Sequence, residues 1–232
     1  MASNTFTRIG RGVYTLTEAE RLTSVPRRPI RRWAVGYRYR YKGEDRYTPP
    51  IIATEMEPVD GVPTLDFSDL MEVRFLNAFR EQGVGWKAIR IAAQRAKELL
   101  GRHRPFSTRI FKTDGRTILA EIVQEAGDKV LLDLVKNQYA FERILSPFLY
   151  TGLEFNELAE PRRWWPLGRK RSVVVDPHRA FGAPIVARAG IPTRTLSSAV
   201  SAEQSVQLVA DWYEAEAREV RDALEFERRC AG

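Results

Sequence analysis

The chain has 232 residues, 44% of them hydrophobic, which is enough for two or three small cores, and its pI of about 9.7 favours a polyanionic partner. A single cysteine, Cys230, excludes a disulfide framework and a cysteine zinc site, and two histidines argue against a histidine metal site or a Ser-His catalytic pair. Since no apolar run reaches the ~20 residues of a membrane span and no signal peptide is recognisable, we expect a cytoplasmic protein without membrane contact, metal or cofactor.

The positive charge is concentrated at one end of the chain. Residues 1–50 contain eleven Lys and Arg against four Asp and Glu, so this segment alone accounts for the formal net charge of +7. The remaining residues are neutral as a group. A basic excess confined to a short segment is typical of a surface that binds phosphate groups.

The basic segment begins with a predicted pair of helices. Thr15-Leu16-Thr17-Glu18 is a capping-box pattern that marks the start of a first helix. Pro26 suits the first turn of a second helix, and Pro29 requires that this helix begin at about residue 25 or 26. Ile30 and Trp33 would then face the first helix. Arginines would cover the opposite face, as in a helix-turn-helix whose second helix enters a major groove. The predicted DNA-binding residues of this helix are Arg27, Arg28, Arg31 and Arg32.

A two-stranded wing is predicted next. Residues 37–42 alternate tyrosine with a cation, residues 43–45 form a turn, and Arg46-Tyr47 returns. This pattern predicts tyrosines on one face and cations on the other, where the cations could contact a phosphate backbone. The predicted DNA contacts of the wing are Arg38, Arg40, Lys42 and Arg46. A solvated helix pair followed by an ordinary hairpin is the alternative, but the charge asymmetry favours DNA binding.

Two longer helices are predicted at residues 68–82 and 86–100. One short recognition helix contacts few base pairs, so operator specificity favours a dimer with half-sites about one helical turn apart. The two helices are the candidates for the dimer seam.

Residues 13–101 resemble the winged helix-turn-helix of MerR-like regulators. The resemblance rests on the runs 14–22 and 30–33 and on the helix start Leu65-Asp66-Phe67-Ser68-Asp69-Leu70-Met71-Glu72, and Pro29 departs from the family pattern. It implies a DNA-binding regulator. Such regulators often sense a small molecule in a following domain, and an effector-responsive MerR-like regulator is our alternative hypothesis.

Residues 102–171 are predicted to be a β-rich middle segment. Strands at 108–112 and 117–123 would flank the turn Thr113-Asp114-Gly115-Arg116, a third strand would follow at 129–134, and a short helix would span 139–149. Trp164-Trp165 beside two arginines could be a base-stacking platform. We favour the alternative that this pair belongs to a strand packed against a core.

The C-terminal segment combines a buried strand at 172–177 with glycine-proline turns and then helices. Residues 172–227 resemble domain of unknown function 433, a small helical module of antitoxin-like proteins, through Arg188-Ala189-Gly190-Ile191-Pro192. The predicted fold is α+β and mainly helical, with a winged helix-turn-helix (13–101), the β-rich segment (102–171) and a helical bundle (172–232).

Together the two resemblances imply a VapB-type antitoxin. In that family the antitoxin binds and neutralises a PIN-domain ribonuclease toxin and represses its own operon through operator DNA. The resemblance therefore implies a non-enzymatic repressor that acts as a homodimer or as a hetero-oligomer with its toxin.

Charge indicates where the toxin would bind. Residues 201–232 contain eight Asp and Glu against four Lys and Arg, which disfavours DNA and leaves the segment available to a protein. The family's PIN active site is a carboxylate cluster that holds Mg²⁺, so arginines could dock there. Trp212 and Tyr213 could be aromatic anchors; the alternative is that both fill the core of a small helical module, which holds for Trp212 at least equally. The candidate arginines are Arg179, Arg188 and Arg194 or, as a second group, Arg228 and Arg229.

Two rival classes lack support in the sequence. An effector-responsive regulator requires a pocket with convergent polar groups, and an enzyme requires a nucleophile–base pair or a metal cluster. Neither pattern is recognisable.

Overall fold

The structure is a computed structural model that describes residues 10–52, 54–112, 115, 118–120, 129, 132 and 150–231. These residues form two compact units. The N-terminal unit contains the described residues between 14 and 150 together with 155–161. The C-terminal unit contains residues 10–13, 151–154 and 162–231. Among the residues that the structure describes, many more lie in helices than in the short strands, so the predicted α+β, mainly helical fold is confirmed.

The helix-turn-helix forms the first part of the N-terminal unit. Helix α1 spans Leu16–Thr23, and its capping box is confirmed, because Glu18 accepts from the Thr15 N–H at 2.8 Å and donates its own N–H to the Thr15 hydroxyl. Helix α2 spans Arg27–Val35 with Pro26 as its N-cap, so Pro29 lies in the first turn and removes no hydrogen bond within the helix.

Strand β2 (Tyr37–Tyr41) pairs antiparallel with β3 (Glu44–Thr48) to form the wing. The turn contains only Lys42 and Gly43, which have φ of 50° and 87°, as in the type I′ turns that suit two-residue hairpins. The prediction that the turn spans residues 43–45 is therefore wrong, because two left-handed residues suffice to reverse the chain.

The two long helices are confirmed as α3 (Phe67–Glu81) and α4 (Trp86–Leu100). The short strands β1 (Tyr14–Thr15) and β4 (Thr64–Leu65) pair ahead of α3. Ten of the fifteen α3 residues are buried within the chain, so the apolar residues of α3 already belong to this unit's own core. Of the two predicted seam helices, α4 is the one that leaves a large apolar residue, Leu99, exposed.

The predicted meander at 108–134 is wrong wherever the structure describes it. Residues 109–112, 115, 118–120, 129 and 132 are helical. The Thr108 hydroxyl accepts the Phe111 N–H at 3.1 Å, which is an N-terminal helix cap. Phe111 packs edge-on against Phe75 of α3 at 6.3 Å, so burial against α3 overrides the hairpin pattern. The remaining meander residues and the helix predicted at 139–149 lie outside the described residues.

A buried carboxylate, Glu72, lies at the centre of this unit. It accepts the Ser107 N–H at 3.0 Å and the Phe106 N–H at 3.4 Å. Burial raises the pKa of Glu72 to about 7, although these hydrogen bonds and the charge of Lys97 act in the opposite direction. The folded state therefore holds the proton more tightly than the unfolded chain, whose pKa is near 4.5.

We expect this unit to lose stability as the pH rises from about 4.5 to about 7, by at most about 3 kcal/mol. The stabilisation by the protonated form is complete below the unfolded pKa and is lost as the pH passes the folded pKa. Urea unfolding between these pH values measures the loss. Glu72→Gln should flatten the dependence, and Glu81→Gln, an exposed position on the same helix, should not. Equal pH slopes in wild type and Glu72→Gln would contradict this expectation.

The C-terminal unit contains most of a four-stranded sheet followed by three helices. The strands are β5 (Leu153–Phe155), β6 (Pro161–Trp164), β7 (Val173–Val175) and β8 (Pro184–Val186), in that spatial order. The helices are α5 (Thr193–Glu203), α6 (Val206–Trp212) and α7 (Ala217–Ala231). Trp164 is buried on β6, as the core-packing interpretation predicted, whereas Trp165 follows the strand and is only half-buried. None of the helices in the described ranges has the length and hydropathy to cross a membrane.

Candidate nucleic-acid interface

The four predicted arginines of α2 have different surroundings. Arg28 and Arg31 are exposed, and neither makes an ion pair with another described residue. Arg27 pairs with Glu20 at 2.7 Å, and the Arg32 guanidinium lies 4.9 Å from the Tyr37 ring centroid. Arg28 and Arg31 are therefore the α2 cations with the fewest competing contacts.

The wing does not separate tyrosines from cations. Residues directly opposite each other in an antiparallel pair share a face, and Arg46 lies opposite Tyr39 while Tyr47 lies opposite Arg38. Arg46 also stacks 5.2 Å from the Tyr41 ring centroid and pairs with exposed Glu44 at 3.3 Å. The two-face prediction is wrong for Arg46 and Tyr47, because the short turn sets a register that mixes the residue types.

The remaining predicted wing cations are exposed. Arg38 and Arg40 share a face, and the Arg40 Nε donates to the Gly43 carbonyl at 3.2 Å. Lys42 occupies the turn, with its Nζ 5.6 Å from the Tyr41 ring centroid.

A glycine joins α2 to the wing. Gly36 has φ of 78°, and a Cβ there would approach the Thr48 carbonyl oxygen to 2.5 Å and the Tyr47 Oη to 2.7 Å. The same Oη donates to the Val35 carbonyl at 3.2 Å. The close contact orients the wing relative to α2.

Gly36→Ala should destabilise this unit by about 2–4 kcal/mol, because alanine adds both left-handed strain and a backbone clash. Thermal unfolding measures the effect. Gly43→Ala is the matched control, since its φ is also positive but its Cβ would meet no atom within 4 Å. Equal losses at the two positions would show that strain alone, and not the wing contact, is responsible.

The structure also reveals a cavity that the sequence did not indicate. It has a volume of about 400 Å³ and lies among α2, the end of α3 and the start of α4. We call it the aromatic cavity; its lining includes Trp33, Tyr37, Trp86, Arg32, Arg80 and Arg90. The i,i+4 spacing of Trp86 and Arg90 was the available sequence signal, but it does not show which neighbouring elements complete the site.

The candidate toxin-binding arginines fall into two sets. Arg188 pairs with Glu219 at 2.7 Å, Arg229 pairs with Glu225 at 2.5 Å, and Arg179 donates to the Ala187 carbonyl at 2.7 Å. Arg194 and Arg228 are exposed and make no ion pair with any residue that the structure describes. Each of the two groups defined by sequence position therefore contains one arginine, Arg194 or Arg228, that is not engaged in such a contact among the described residues.

Helix α6 exposes two apolar residues one turn apart. Leu208 and Trp212 are 38% and 58% exposed, whereas Val209 is fully buried and Tyr213 packs partly against the core. The alternative that Trp212 fills the core is therefore wrong, because only the opposite side of α6 faces α5 and α7. Over the described ranges, no group of three or more His, Cys, Asp or Glu side chains is suited to a metal ion.

Comparisons with known proteins match two separate segments of the chain to known families. Residues 12–93 match a family described as "Putative DNA-binding HTH domain", and residues 173–226 match "Protein of unknown function (DUF433)". The crystal structure of Rv2018 from Mycobacterium tuberculosis is similar to this fold, with a TM-score of 0.71 and 28% identity over 91% of this chain and 96% of that one. "Putative antitoxin VapB45" of Mycobacterium tuberculosis (strain ATCC 25618 / H37Rv) is 30% identical over 223 residues, which cover 92% of each chain. This chain therefore belongs to the VapB antitoxin family.

Proposed function

We propose that this protein is the antitoxin of a type II toxin–antitoxin system. It neutralises a PIN-domain ribonuclease by direct binding and represses its own operon by binding operator DNA, and it catalyses no reaction itself. The observation that supports this most strongly is the combination, in one family member, of an arginine-bearing helix-turn-helix with a separate unit that exposes Leu208 and Trp212.

The DNA-binding function would use α2 and the wing. Arg28 and Arg31 are exposed on the second helix of the helix-turn-helix, the element that enters the major groove in this motif. Arg38, Arg40 and Lys42 would contact the phosphate backbone beside it. Because one such helix reads few base pairs, the proposal includes a dimer, or a hetero-oligomer with toxin, on half-sites ~34 Å apart.

The toxin-binding function would use the exposed side of α6. Leu208 and Trp212 share one face, and a large exposed tryptophan beside an aliphatic residue resembles the anchors that dominate protein interfaces. Arg194 and Arg228 could bind the carboxylates of a PIN active site without first breaking an ion pair with any residue in the described part of the chain.

Copurification with the proposed PIN-domain ribonuclease toxin tests the proposal. We expect the full chain to form a stable complex, to suppress cleavage of a fluorescent RNA and to shift DNA from its own promoter. Light scattering at micromolar concentration should give a protein mass above that of a 26.6 kDa monomer, either for the free protein or for the protein component of its DNA complex. Unimpaired RNA cleavage at saturating antitoxin, or no preference for promoter DNA over unrelated DNA, would refute the corresponding half of the proposal.

A further inference from the structure

The aromatic cavity shares Arg32 with the predicted DNA contacts, but its described lining contains none of the cations proposed above to contact DNA, which are Arg28, Arg31, Arg38, Arg40 and Lys42. Its volume of about 400 Å³ lies within the usual range of small-molecule sites, roughly 300–1,000 Å³. Its lining is both aromatic and cationic, which is the composition that binds flat organic anions.

Two aromatic side chains meet in this cavity. The ring centroids of Trp33 and Trp86 are 5.2 Å apart with their planes inclined at 57°. Trp33 is buried on α2, whereas Trp86 is half-buried at the start of α4. This pair provides an aromatic surface, partly accessible at Trp86, against which a planar ring of similar size could pack.

The cationic groups of the cavity are held by rings and by a carbonyl. The Arg80 guanidinium lies 4.8 Å from the Trp86 ring centroid, and Arg32 lies 4.9 Å from that of Tyr37. Arg90 donates to the Pro49 carbonyl at 2.8 Å. None of the three pairs with a carboxylate among the residues that the structure describes. Each guanidinium has five N–H donors, so donors remain for an anion.

The charges around the cavity do not cancel. Among the residues that the structure describes, three arginines line it against one carboxylate, Glu81, which accepts a hydrogen bond from Asn77 at 2.8 Å. Partial burial lowers the pKa of Arg90, which is the direction expected for a cation that lacks a countercharge. A bound carboxylate would supply that charge and could form two parallel hydrogen bonds with a guanidinium.

From this arrangement we propose that the aromatic cavity binds a small aromatic carboxylate. The ring packs against Trp33 and Trp86, and the carboxylate binds the guanidinium groups, with Arg80 as the main contact. This site is separate from the proposed toxin surface, and its test requires neither toxin nor DNA.

Calorimetric titration of the full chain with indole-3-carboxylate tests the proposal. We expect saturable binding with a dissociation constant below ~1 mM, and indole-3-carboxamide should bind at least roughly 10-fold more weakly because it lacks the charge. Inorganic phosphate should not saturate the site, which distinguishes an aromatic ligand from a DNA phosphate. No saturation by the carboxylate, equal binding of the carboxamide, or equally tight binding of phosphate would overturn the proposal.

Variants of exposed residues locate the site. Arg80→Ala should weaken binding at least roughly 10-fold, and Glu81→Gln should strengthen it because the opposing charge is removed. Lys87→Ala removes one positive charge from an exposed position on α4 that does not line the cavity, and it should leave binding unchanged. Unchanged affinity in both Arg80→Ala and Glu81→Gln would reject the cavity as the site. Because the titration contains no DNA or toxin, its failure would leave the proposed antitoxin function standing.

Discussion

Replacing Arg28 and Arg31 by alanine is expected to lower operator affinity at least about 100-fold at about 150 mM salt. Both side chains are exposed on α2 and make no ion pair among the described residues, so their loss should remove DNA contacts and little folding energy. Each phosphate contact that is lost should flatten the slope of log affinity against log salt by about one. Gel-shift or fluorescence-anisotropy titrations at several salt concentrations measure both effects.

The matched control is Arg194→Ala with Arg228→Ala, which removes the same charge from exposed positions of the C-terminal unit. We expect this pair to leave operator affinity within about 3-fold of wild type and to weaken toxin binding instead. If both double variants lowered DNA affinity alike, binding would follow net charge, and α2 would not be the recognition element. Thermal unfolding of each variant verifies that the fold is intact.

Trp212→Ala is expected to weaken toxin binding at least about 100-fold while leaving operator binding unchanged. An exposed tryptophan that becomes buried in an interface is typical of the few residues that dominate binding energy, and its exposure of 58% means that truncation leaves no internal cavity. Surface plasmon resonance with immobilised ribonuclease measures the affinity. Leu208→Ala, one turn away on the same face, should produce a smaller loss in the same direction.

Leu158→Ala provides the comparison for this experiment. Leu158 is also an exposed large apolar residue, but it belongs to the N-terminal unit. Toxin affinity should be unaffected by its truncation. If Trp212→Ala kept wild-type affinity and Leu158→Ala lost affinity, the toxin would bind the N-terminal unit, and our assignment of the toxin surface to the C-terminal unit would be wrong.

Patterns within about twenty residues were sufficient for most of the helices. The Thr15–Glu18 capping box predicted the start of α1, and the spacing of apolar residues together with a glycine break predicted α3 and α4 to within one residue at either end. These features depend on hydrogen bonds and side-chain periodicity inside one segment, which is why they could be recognised without knowing the neighbours. The excess of Lys and Arg in residues 1–50 could likewise be recognised from the order of the residues alone.

The tertiary structure decided the features that depend on distant neighbours. Residues 109–112 are helical because Phe111 packs against Phe75, thirty-six positions earlier, although their sequence favours a strand. Arg188 pairs with Glu219, thirty-one positions later, whereas Arg194 has no ion-pair partner among the described residues, and residue type alone could not distinguish the two.

The same reason explains the aromatic cavity and the exposed tryptophan. Arg32, Arg80 and Trp86 come from three helices that meet only in the folded unit, and the exposure of Trp212 depends on which side of α6 faces α5 and α7. The sequence by itself determined the family, the helices of the N-terminal segment up to residue 100 and the position of the charge. Only the tertiary structure decided which side chains remain available for a partner, because availability depends on contacts between segments far apart in the chain.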